Sequence, residues 1–228
     1  AAEITDHTVA RPYALEFTNN GFLVADWVGS RILGFNSRNI SNTTAADFVL
    51  GQDNFTDTLQ NKSVSASTLP SATTVSGPST MLKIGSRFFV VDTGNNRVLG
   101  YNSVPTSGSS TPDIVLGQPD FTSKTANNGG VSAYTMNDPR SIASDGTKLA
   151  VVDKGNNRVL IWNTIPSASN VPADVVVGQQ TFTGNLPNGA ISYEGSLNIP
   201  MSAVFAEGKL IVSDFIDSRV LIWNTIPS

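Results

Sequence analysis

The chain contains no cysteine and a single histidine, His7. The first absence excludes disulfides, a thiolate nucleophile and any thiolate metal site. The second excludes a multi-histidine zinc site within one chain, and leaves only His7 to serve a serine nucleophile as base. Charge is also scarce: 14 % of the 228 residues are Asp, Glu, Lys or Arg, and the net charge is −4. No basic run concentrates a positive surface, which argues against non-specific nucleic-acid binding. No apolar run reaches the 18 or so residues of a membrane-spanning helix. What the chain has instead is serine, threonine and asparagine, 69 residues together. Such small, β-branched and turn-forming residues predict many short strands.

The chain is an internal repeat. The segment Leu23 to Asn36 returns from Phe89 to Asn102, from Ala150 to Asn163 and from Ile211 to Asn224. Its aspartates, Asp26, Asp92, Asp153 and Asp214, are 66, 61 and 61 residues apart, and Arg31, Arg97, Arg158 and Arg219 keep the same steps. A proline precedes each aspartate by 14 residues, at Pro12, Pro78, Pro139 and Pro200. Within a module, β-branched runs bounded by turn residues predict three strands. A fourth is expected in the Val-rich run that ends in Gly-Gln at Gln52, Gln118 and Gln179, followed by Phe-Thr. Linkers of 25, 20 and 20 residues, expected as surface loops, lead to the next proline.

Four strands per repeat suggest propeller blades. The Asp-x-Gly-Asn-Asn-Arg-Val core at Asp92–Val98 and Asp153–Val159, with the trailing Gly-Gln-Pro-Asp-Phe-Thr at Gly117–Thr122, resembles the NHL repeat of long-repeat bacterial proteins. The resemblance covers nearly the whole chain and implies an all-β propeller used mainly for binding and usually six-bladed. Some relatives of this kind are metal-dependent lyases or lactonases with histidine- or acid-rich channels. No such channel set is visible here.

The expected architecture is one domain, 1–228, with modules at 12–77, 78–138, 139–199 and 200–228 plus 1–11. The fourth module lacks its outer strand. Ala2-Glu3-Ile4 matches Ala173-Asp174-Val175 in type, so the N-terminal segment is expected to supply that strand and close a four-bladed ring. The same strand could come from a neighbouring chain, giving a polymer, or the chain could be a fragment of a six-bladed propeller.

The repeated Asp and Arg can be read as a charged ligand ring or as turn-holding structure; a residue present in every module points to structure. Oxygen ligands in the Asp-x-Gly-Asn-Asn turns leave Ca²⁺ open, though the acidic spacing of a calcium loop is missing. Asn-x-Ser/Thr occurs at Asn39, Asn42, Asn54 and Asn61, either as glycosylation sites or by chance in so Asn-rich a chain. The hairpins depart most. Modules two and three are polar there, but Trp27-Val28 and Phe215-Ile216 are apolar. Ring closure would set these four side by side as a protein contact, unless the linkers cover them.

The expected protein is thus a non-enzymatic extracellular propeller for protein binding, adhesion or self-assembly. Its opening Ala1-Ala2 fits a chain whose signal peptide has been removed. The alternative is a propeller enzyme or a carbohydrate-binding module acting through the channel or loops. Far-ultraviolet circular dichroism should show a strand spectrum with no helical component; a helical minimum would contradict the strand assignment.

Overall fold

The computed structural model describes residues 5–41, 43–63, 65, 67–189 and 193–228. Among these residues, fifteen strands form four antiparallel meanders, each opening at one of the repeat prolines. The first sheet holds β1 (Pro12–Phe17), β2 (Phe22–Asp26), β3 (Arg31–Phe35) and β4 (Phe48–Leu50). The second holds β5 (Pro78–Ile84), β6 (Arg87–Asp92), β7 (Arg97–Tyr101) and β8 (Ile114–Leu116). The third holds β9 (Pro139–Ser144), β10 (Leu149–Asp153), β11 (Arg158–Trp162) and β12 (Val175–Val177). The fourth has three strands: β13 (Pro200–Ala206), β14 (Lys209–Asp214) and β15 (Arg219–Trp223). Proline lacks an N–H and is suited to the first position of a strand. A register shift follows Pro12, Pro78 and Pro200 directly, so the chain enters each sheet through a bulge.

Alternation along the strands gives each sheet two apolar faces, and the core lies between sheets. In the third module, Leu160 and Trp162 pack towards the second module with Phe89, Val91 and Val98. Their neighbours Val159 and Ile161 pack the other way, with Leu210 and Val212 of the fourth. The first two modules meet through Ile32, Leu50, Met81 and Val90. Being buried on both faces, β7 and β11 are apolar almost throughout after their arginine, a pattern that alternation alone would miss.

Packing between strands runs from module one to two, two to three and three to four; the fourth makes no comparable packing with the first. Leu15 and Phe17 on β1, and Val220 and Ile222 on β15, are exposed. Closure of the expected ring within one chain is not seen among the described residues. Counting strands says nothing about the angle between successive sheets, which decides whether four modules close.

The N-terminal segment also has a different role at Thr5 and Asp6. Thr5 N–H donates to Thr8 Oγ1 at 2.7 Å, as Ser71 does to Thr74 and Ser132 to Thr135. Asp6 O accepts from Ala46 N at 3.0 Å, as Ala133 O does from Ala173 N. Residues 5–8 are thus the linker turn of module one, and Thr5 and Asp6 do not extend β15. Ala2, Glu3 and Ile4 lie outside the described residues.

The Gly-Gln pair has a steric cause. Gly51, Gly117 and Gly178 hold φ of +90°, +85° and +92°, and a Cβ on Gly117 would stand 2.9 Å from Met136. Gly117→Ala should destabilise the chain by about 1–3 kcal/mol, measured by urea unfolding. An unchanged midpoint would show that the turn can relax.

Candidate functional site

The repeated Asp and Arg close the β2–β3 hairpin and its equivalents, where each pair is the last in register. Nε of Arg31, Arg97, Arg158 and Arg219 lies 3.0, 2.7, 2.7 and 2.8 Å from Oδ2 of Asp26, Asp92, Asp153 and Asp214. In the first three modules both side chains are fully buried; Arg219 is half-exposed. A buried guanidinium needs its donors filled. Arg97 Nη1 donates to Phe121 O, and Nη2 donates to Ser71 O and Thr74 O, both at 2.9 Å. Arg158 does the same with Phe182 O, Ser132 O and Thr135 O. Arg31 uses Phe55 O and Thr8 O. Arg31, Arg97 and Arg158 therefore tie the loop after the outer strand to the linker turn before the inner strand, and Arg219 holds the linker alone through Ser196 O.

The aspartates complete the tie. Oδ1 of Asp92, Asp153 and Asp214 accepts the backbone N–H of Ser76, Asn137 and Asn198, each at 2.7 Å. Burial pushes the Asp153 carboxyl above the ordinary carboxylate range, against the opposing pull of Arg158 and the Asn137 N–H. Asn95 and Asn156 donate to Oδ2 of Asp92 and Asp153. Those same two asparagines form reciprocal amide pairs with Asn61 and Asn127 of the linkers. The second Asn of each turn, Asn96 or Asn157, sits in the left-handed region and accepts the backbone N–H of Asp138 or Ile199, the residue just before the next module's proline, at 2.8 Å.

In these contacts the aspartate oxygens accept from N–H donors of the fold itself. Among the described residues, no three His, Cys, Asp or Glu side chains gather where they could hold a metal. His7 lies in an exposed turn against Asp6. A cleft of about 490 Å³ is lined by Phe22, Phe35, Phe48, Asn20, Val104 and Pro105 among others, with no titratable side chain. Such a wall can bind but offers no proton donor or acceptor for general acid–base work.

Of the hairpin residues, Val28, Phe215 and Ile216 are exposed. Trp27 is half-buried. Its ring lies 5.0 Å from that of Tyr13 and 4.4 Å beneath the Arg140 guanidinium of module three. Trp27-Val28 and Phe215-Ile216 belong to modules one and four, whose strands make no packing comparable to that between successive modules. Among the Asn-x-Ser/Thr sites, Asn61 is buried in its amide pair and cannot carry a glycan as folded. Asn54 is exposed with its amide donating to Asp57, Asn39 is exposed, and Asn42 lies outside the described residues.

Two structural groups escaped the sequence reading. The linker turns at Thr5–Thr8, Ser71–Thr74 and Ser132–Thr135 lie at constant distance before each arginine. Asn127 and Asn188 keep the 61-residue step. Both signals were present in linkers whose composition suggested only loop.

No protein-family model matches the chain, and no curated protein matches it. Solved structures do. An auxiliary nutrient-binding protein from Bacteroides thetaiotaomicron aligns with a TM-score of 0.52 at 12 % identity, over 91 % of this chain and 46 % of its own. Streptogramin B lyase aligns at 0.48 and 12 %, over 95 % and 55 %. A lactonase-like protein from Bacteroides uniformis aligns at 0.49 and 14 %, over 92 % and 49 %. The chain thus spans about half the length of these proteins. The likeness to the nutrient-binding protein, whose fold is propeller-type, together with the four antiparallel sheets, shows a propeller-like all-β fold.

Arg97→Ala should cost about 3–5 kcal/mol, because it leaves Asp92 buried and unpaired, whereas Arg219→Ala at the half-exposed end should cost less. Urea unfolding of both variants checks this; equal losses would contradict a role graded by burial.

Proposed function

We propose that the chain is a non-enzymatic, extracellular module built of NHL-like repeats that binds protein, including copies of itself. The observation that carries this reading is the exposure of Val28, Phe215 and Ile216 on hairpins where modules two and three place Gly94, Lys154 and Gly155. Exposed apolar clusters on a folded chain mark contact sites, and aromatic side chains are favoured anchors. The engagement of every repeated Asp and Arg in loop contacts supports a binding role over a catalytic one.

Hydroxyl-radical footprinting tests the reading. In the protein's native extracellular preparation, Phe215 and Ile216 should be protected at least about threefold relative to the dilute purified chain, while exposed Tyr134 should react equally in both. Equal reactivity of Phe215 and Ile216 in the two preparations, or absence of the protein from the extracellular fraction, would overturn it.

A further inference from the structure

The two terminal sheets present the unmatched halves of an interface that the chain already makes three times. One half is the face of β1. Leu15 is 52 % exposed, but the residues at its position in later modules, Met81, Ile142 and Ala203, are 3 %, 5 % and 6 % exposed. Phe17 and Tyr13 stand exposed beside it. The other half is the far face of the fourth sheet. Val220 is 59 % and Ile222 55 % exposed, whereas Ile32, Val98, Val159 and Ile161, at the same repeat positions, are fully buried. Val204, opposite Ile211 on that face, is also exposed. The apolar identity of these positions is therefore kept where no described module covers them.

We infer that the β1 face of one copy docks on the β13–β15 face of a second copy, and the reverse, joining two chains. This rests on the protein-binding reading and narrows it to one partner. A second copy is the occupant because it carries both halves of the contact in the geometry already used between modules one and two, two and three, and three and four. The contact is heterologous, head to tail, and such contacts form closed rings when the rotation permits. Docking would also cover Phe215, whose module-two counterpart Thr93 donates to Pro139 O of the next module.

Light scattering on the full chain during size exclusion tests this. The expected mass is about twice 24.0 kDa. Leu15→Lys with Phe17→Lys blocks one face, and Val220→Lys with Ile222→Lys blocks the other. These side chains are exposed in the single chain, so the variants should keep its circular dichroism and melting. Each blocked variant alone should be monomeric, its dissociation constant raised at least about 100-fold. An equimolar mixture of the two should regain a dimer, because one intact contact remains between unlike variants. A monomeric parent chain, or a mixture that stays monomeric, overturns the inference. A dimer that survives both face variants also overturns it, and leaves the wider protein-binding reading to the footprint at Phe215 and Ile216.

Discussion

The structure depends on one buried ion pair, repeated. An arginine removed from water needs a full set of acceptors, and no single partner supplies it. Here the aspartate of the same hairpin takes Nε, and backbone carbonyls of two distant loops take the rest. The loops are long and mostly polar, each with an apolar anchor in the core, Val75, Met136 and Leu197. Satisfying the arginine fixes the rest of their backbone, and the aspartate accepts the N–H of the residue that leads into the inner strand of its own module. The desolvation penalty of the pair is thus offset by the loop backbone it organises.

This arrangement makes each module a unit and joins units in series. Stability in such a chain is close to a sum of module and nearest-neighbour terms. Interior modules have both apolar faces covered, and Val98 and Val159 show the result. Terminal modules keep the same residues with one face bare. Even the ion pair follows the gradient: Arg219 is half-exposed where Arg97 and Arg158 are buried.

Much of this was legible in the sequence. The 61-residue step located the strands, the Asp-to-Arg spacing located the hairpin, and recurrence in all four modules identified both residues as structural. Three features were not legible. Ring closure depends on inter-sheet angles, and strand counts carry none. The fate of Trp27 depends on Arg140, two modules away, which lies over its ring and sets it apart from exposed Val28. The Asn61 sequon was indistinguishable in composition from its neighbours, and only the facing Asn95 reveals it as a buried partner. In each case the deciding contact joins residues far apart in the chain that no local pattern links.

Amide hydrogen exchange measures the central interaction most directly. The N–H groups of Ser76 and Asn137 sit in linkers, outside any strand, yet donate to the buried carboxylates of Asp92 and Asp153. They should exchange as slowly as the amides of β6 and β10, opening only with the whole module. Exchange at the rate of exposed linker amides such as Gly129 would show that the ion pairs do not hold the loops.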